Sequence, residues 1–174
     1  MKKLRIIFFC ALIFIGIIGS IFYIVRNLTQ GKNYQKDIDT IYFYHWHVLR
    51  MPEYKTAYKI DLTNKSIYEV VGEKAYDSDN WGTIDGDDDF ILVSYLQDDA
   101  IELFSRQTAR HGLTKLDSTY KNIQPDGSAW YIKIIFSDKT VMTSSGSNKY
   151  PETWDIIMKD FDDLTGIAFS SLPL

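Results

Sequence analysis

The chain has 174 residues, with 19 Lys and Arg against 23 Asp and Glu. Four of the basic residues (Lys2, Lys3, Arg5 and Arg26) sit in the leader and none of the acids does, so the remainder holds 15 basic against 23 acidic residues, a formal charge of −8. Phosphate backbones recruit excess Lys and Arg, so this balance excludes nucleic acid as a partner. The one cysteine, Cys10, also lies in the leader. The rest of the chain therefore has neither disulfide nor thiol chemistry, and at this length it can bury a core without such staples.

Residues 6–25 carry no charged side chain. A helix of that length rises about 30 Å, the thickness of a bilayer's hydrocarbon core, and it satisfies its own backbone hydrogen bonds in lipid. Residues 1–26 therefore read as an uncleaved transmembrane signal anchor. Cleavage after Ser20 is the alternative; it would leave the apolar Ile21-Phe22-Tyr23-Ile24-Val25 as a new terminus, and signal-peptide apolar regions are shorter. A lipoprotein site at Cys10 lacks the small residues such processing needs. Lys2, Lys3 and Arg5 on a short tail place the N-terminus in the cytoplasm by the positive-inside rule. The expectation is a single-pass protein of the cell membrane, bound to the lipid bilayer through residues 6–25, with its domain outside. Residues 27–38 are a polar linker and 39–174 the extracytoplasmic domain, of ordinary single-domain size.

From Thr40 the chain turns aromatic and β-branched, and 41–48 reads as a strand. Met51-Pro52-Glu53 reads as a turn. Residues 56–62 and 66–71 form a predicted hairpin: Tyr58, Ile60 and Leu62 alternate with polar residues, and Asn64-Lys65 suits a tight turn because Asn tolerates positive φ. Residues 76–89 are a loop rich in Asp. The continuous apolar run 90–96 predicts a strand buried on both faces. Asp98 is the expected N-cap of a helix that places Ile101, Phe104 and Thr108 on one face, with Leu103 beside them, and Gly112 ends it. Trp130, Ile132, Ile134 and Phe136 alternate on a later strand, which Ser137-Asp138-Lys139 turns into 140–143. A last helix opens with Pro151 at its first position, where a missing N–H costs nothing. Trp154, Ile157, Met158, Phe161 and Leu164 form its core-facing stripe, and Gly166 stops it. The fold class is α+β: an N-terminal transmembrane helix followed by a mainly antiparallel sheet with two helices packed on it.

The segment from Trp130 to Lys139, the string Ser145-Gly146-Ser147-Asn148-Lys149-Tyr150-Pro151 and the Trp154 helix resemble a pattern in uncharacterised membrane- or lipid-anchored extracytoplasmic proteins of Gram-positive bacteria. The likeness covers about residues 127–165. It implies fold and placement, and it brings no known activity and no site residue. At the hairpin turn, where that pattern has Asp-Gly, this chain has Asp138-Lys139. In the string, Gly146 allows positive φ and Ser147 and Asn148 can bond nearby backbone groups in a turn. A nest of amides for an anion beside the helix start is the functional alternative.

Candidate chemistry is sparse. Asp77, Asp79, Asp85 and Asp88 can be laid on an EF-hand calcium loop, with Asp77 and Asp79 at its first and third positions, Gly82 at the sixth and Asp85 at the ninth. Trp81 spoils the fifth position and Asp88 replaces the bidentate Glu, so the competing reading is a solvated acidic turn. His45 and His47 share one strand face about 7 Å apart, but zinc needs three or four ligands and His111 stands at a helix end, where a cation meets the dipole. Ser94, Ser144, Ser145 and Ser147 have no Gly-x-Ser-x-Gly elbow. Asp160, Asp162 and Asp163 read as a solvated face at the end of the last helix. Tyr42, Tyr44 and Trp46 lie on one strand face, near Tyr54, Tyr58 and Tyr68, either as cross-strand packing or as a strip for a glycan or envelope protein. No catalytic residue and no cofactor is expected. The expectation is a non-enzymatic binding or envelope-associated domain, with a calcium-binding module or a small cell-wall hydrolase as alternatives.

Overall fold

The computed structural model describes residues 37–47, 56–70, 90–122 and 127–171. Among these residues seven strands form one sheet in the order β4-β3-β2-β1-β6-β7-β5. They are β1 (Ile38–His47), β2 (Thr56–Asp61), β3 (Ser66–Val70), β4 (Phe90–Tyr95), β5 (Thr119–Lys121), β6 (Ser128–Phe136) and β7 (Val141–Ser147). All neighbours are antiparallel except β5, which runs parallel to β7. Among the described residues two α-helices, α1 (Asp98–His111) and α2 (Trp154–Thr165), complete the α+β architecture. The predicted anchor at residues 6–25 lies outside the described residues. Among those described, no helix is long and apolar enough to cross a membrane.

Strand alternation builds the main core. Ile41 and Phe43 of β1 stand opposite Ile134 and Ile132 of β6, and Ile60 and Ile67 extend the same face across β2 and β3. Both helices lay apolar residues on it. From α1 come Phe104 and half-buried Ile101; from α2 come Trp154, Ile157, Met158, Phe161 and Leu164. The α2 stripe is thus buried as its spacing predicts. Phe161 sits at the centre, with ring centroids 5.8 Å from Phe43, 5.5 Å from Phe104 and 5.4 Å from Phe169. The opposite sheet face holds a smaller cluster of Tyr42, Tyr44 and Ala57, bordered by Phe90, Tyr131 and Ile135. Tyr42 and Tyr44 are buried, so they offer no exposed aromatic strip.

The turns show where local chemistry departs from expectation. In the β2–β3 hairpin it is Lys65, not Asn64, that adopts positive φ, at 54°. Asn64 is engaged otherwise: its backbone N–H and side-chain amide donate to the two carboxylate oxygens of Asp61, at 2.7 and 2.9 Å. The β6–β7 turn reaches the left-handed region with Lys139 at φ 64°, where glycine would be unstrained. The ammonium of Lys139 compensates by pairing with Asp39 at 2.9 Å. Asp39 also accepts a hydrogen bond from the Thr63 hydroxyl, so one carboxylate ties the start of β1 to both turns. Those hydrogen bonds, from Thr63 first and then Lys139, hold its pKa below the usual aspartate range.

Four further expectations need correction. Strand β4 is not buried on both faces: it is the last of the described strands at its end of the sheet, and Ile91, Leu92, Val93 and Tyr95 are exposed. An apolar run has no period that distinguishes an interior strand from an edge strand. Asp98 is the first helical residue of α1, not its cap, and the N-cap is Gln97. There Asp98 pairs with Lys65 at 2.6 Å. Helix α2 starts three residues after Pro151, which begins a preceding turn closed by Trp154 N–H donating to the Pro151 carbonyl at 3.0 Å. Finally, β7 continues through Ser147, so Ser145-Gly146-Ser147 is strand and not turn.

Candidate functional site

Gly146 has no positive φ; the left-handed residue of that string is Asn148, at 51°. What Gly146 provides is room. A Cβ there would lie 2.1 Å from Trp130 Nε1 and 2.5 Å from the Lys149 carbonyl oxygen. The missing side chain lets the Trp130 indole pass over β7 and donate to that carbonyl at 2.9 Å. Trp130 thereby pins the segment leading to α2, and an aromatic cluster forms around it. Tyr120 lies at 5.6 Å, Trp154 at 4.6 Å and Tyr150 at 6.4 Å between ring centroids.

On the other side, Gly112 caps α1 in the left-handed conformation, at φ 83°, with its N–H donating to the Thr108 carbonyl at 3.1 Å. Gly112 also begins a 3₁₀ turn, Leu113–Lys115, whose Leu113 plugs into the core. The chain then meets β7: the Ser144 hydroxyl donates to the Asp117 carbonyl at 2.5 Å, and Ser145 N–H donates to the Ser118 carbonyl at 3.2 Å. The Tyr120 hydroxyl accepts from the Asp117 N–H at 3.0 Å, which orients its ring.

Between these two pinned segments lies a cleft of about 510 Å³. Tyr120 and Tyr150 supply aromatic surface, and Lys115, Asp117, Lys149 and Glu152 supply charge of both signs. Thr119 and Thr153 add hydroxyls, and His111 stands in the wall. A second cleft of about 280 Å³ adjoins it through Tyr120 and includes Trp46, Trp130 and Ser145. The volume of the first falls in the range of small-ligand sites, roughly 300–1,000 Å³.

The wall holds the main electrostatic feature. His111 Nδ1 lies 2.7 Å from Asp160 Oδ2, joining the end of α1 to the middle of α2. Asp160 is buried, which corrects the solvated-face expectation for that residue. Burial pushes its pKa above the ordinary aspartate value, and the hydrogen bond from His111 opposes the shift. With the carboxylate ionised, Nδ1 carries the hydrogen and Nε2 is the nitrogen not engaged by Asp160. The other two acids behave differently. Asp163 pairs with Lys159 at 3.1 Å on the surface, and Asp162 accepts from Ser170 N–H at 3.0 Å. The sequence signal for Asp160 was its spacing: it falls three residues after Ile157 and four before Leu164, on the apolar stripe itself. An acid on a buried stripe needs a partner.

Those of the remaining sequence candidates that lie among the described residues do not converge. Asp77, Asp79, Asp85 and Asp88 lie outside the described residues. Among the described residues, no group of three or more His, Cys, Asp or Glu could hold a metal ion. His45 is buried on the core face, its Nε2 3.5 Å from the Tyr150 hydroxyl. His111 turns instead to Asp160. Ser94 is on β4, at the far edge of the sheet from Ser144, Ser145 and Ser147 on β7. No family model matches the chain, and no curated protein matches its sequence.

Proposed function

We propose that the chain is a membrane-anchored extracytoplasmic protein whose domain binds a glycan of the cell envelope without cleaving it. The observation that carries this reading is the cleft, where Tyr120 and Tyr150 stand beside charged and hydroxyl groups of mixed character. Sugars present C–H faces that pack on aromatic rings and hydroxyls that need donors and acceptors together, and this lining offers both. The uncharged segment 6–25 and the likeness to envelope proteins support the placement. The test is titration of the full chain in detergent micelles with soluble N-acetylhexosamine oligomers. Saturable binding should weaken at least tenfold in Tyr120→Ala and in Glu152→Gln. Glu152 is exposed, so its replacement leaves the fold intact, and unchanged affinity in that variant together with Tyr120→Ala would overturn the reading.

A hydrolytic reading draws on one observation, the His111–Asp160 pair beside the cleft, because a carboxylate on Nδ1 orients an imidazole for base chemistry at Nε2. Release of reducing ends from the same oligomers, lost in His111→Ala, would favour it over binding alone. The calcium-module reading rests on Asp77, Asp79, Asp85 and Asp88 and is tested by calcium titration.

A further inference from the structure

Strand β5 runs between the two clefts and belongs to both: Thr119 and Tyr120 line the first, Tyr120 and Lys121 the second. The second cleft follows from register and residue size. Trp46 of β1 stands beside Ala129 of β6, Ala129 beside Ser147 of β7, and Ser147 beside Lys121 of β5. Two residues further along β6, Tyr131 stands beside Ser145. Side chains alternate along a strand, so Trp46 shares the face of Tyr42 and Tyr44 and not the face on which Phe43 meets α2. Small Ala129, Ser145 and Ser147 between large Trp46, Tyr131 and Lys121 leave a hollow of about 280 Å³.

The lining of this hollow repeats the chemistry of the first cleft. Trp46 and Tyr131 are half-buried rings, and Tyr131 is held by Tyr44 at 5.9 Å between centroids. Ser145 and Ser147 bring hydroxyls, and Lys121 brings an ammonium donor. The Ser145 hydroxyl donates to the Ser118 carbonyl at 3.4 Å, which leaves its own lone pairs as acceptors. The hollow is just smaller than a typical small-ligand site, whose lower bound is roughly 300 Å³, so it suits an extension of the first cleft better than a separate pocket. The shared wall is rigid. The Tyr120 hydroxyl accepts from Asp117 N–H at 3.0 Å, and its ring lies 5.6 Å from Trp130.

We infer that the second cleft is a further sugar subsite, and that the ligand is an extended glycan chain that fills the first cleft and crosses Tyr120 into the second. This rests on the glycan reading of the first cleft and adds the length of chain that the site selects. From Thr119 to Lys121 the strand covers about 7 Å, so one continuous chain of a few rings reaches both clefts. A disaccharide engages one cleft. A longer chain engages both, and its second contact is intramolecular, which raises affinity well beyond that of either cleft alone.

The test titrates the full chain in detergent micelles with N-acetylhexosamine oligomers of two and six units. The six-unit oligomer should bind at least tenfold more tightly. Trp46→Ala should remove that advantage and leave two-unit binding unchanged. The double variant Lys121→Ala with Ser147→Ala replaces two exposed side chains, keeps the fold, and should cut six-unit affinity at least threefold with two-unit affinity unchanged. Equal affinity for both lengths would overturn the inference and leave the first cleft's reading standing. So would unchanged six-unit affinity in the double variant, or an equal loss for both lengths in Trp46→Ala at an unchanged melting temperature. Absence of binding at either length would overturn the inference and the glycan reading together.

Discussion

Phe161→Ala tests the architecture most directly. Phe161 is fully buried on α2, among Phe43, Phe104 and Phe169 at 5.4–5.8 Å. Truncating a buried Phe to Ala typically costs about 3–5 kcal/mol, from lost transfer energy and the cavity left behind. Three ring contacts place this site toward the upper end, since each aromatic pair adds about 0.5–1.5 kcal/mol beyond its area. Residues 36–174 form one compact unit. At roughly 2.1 cal/mol/K per residue, a unit of that size has an unfolding entropy of about 0.3 kcal/mol/K. The expected fall in melting temperature is therefore about 10–17 °C, read by circular dichroism on the full chain in micelles. Lys159→Ala is the matched control on the same helix. It removes an exposed i,i+4 pair with Asp163, worth about 0.3–0.5 kcal/mol, and should shift melting by less than about 2 °C. If Phe161→Ala also melts within about 3 °C of the parent, α2 is not packed on the sheet and the core described above is wrong.

Three other outcomes are expected. Gly146→Ala must displace either the Trp130 indole or the Lys149 carbonyl, costing about 1–3 kcal/mol by overpacking, so melting should fall by several degrees and oligosaccharide binding should weaken with it. Asp160 has a raised folded-state pKa, so between the unfolded value near 3.8 and the folded value the native state holds more protons than the unfolded chain; its contribution to stability is present at low pH and declines as pH rises through that window, and the decline should vanish in Asp160→Asn when urea unfolding is followed across the acidic range. Millimolar calcium is expected to leave the melting temperature unchanged, and a saturable rise abolished by Asp77→Ala with Asp79→Ala would establish the acidic loop as a calcium site.

Periodicity made much of the fold legible. The 3.6-residue stripe of α2 and the alternation of Trp130, Ile132, Ile134 and Phe136 each named a buried face, because both patterns arise from side chains that must leave water. Gly112 and Gly166 marked helix ends because only a left-handed residue closes those caps cheaply. Three features were not legible for physical reasons. Exposure of β4 depends on which strand is last in the sheet, and a six-residue apolar run carries no information on that. Strand β5 has three residues, too few for any period, and its parallel pairing with β7 is a long-range choice. The His111–Asp160 pair joins residues 49 apart, and only the position of Asp160 on the stripe hinted at it.

Helix α1 connects β4, at one end of the described sheet, to β5 at the other. Its end sets His111 against the middle of α2 and brings the turn after Gly112 beside the segment that Trp130 pins. The cleft is the gap between those two segments, so its walls are fixed by packing on both sides and not by the loop alone. A variant that loosens either pin should therefore weaken cleft binding before it unfolds the sheet, because the β1–β2 ladder at the centre contains neither pin.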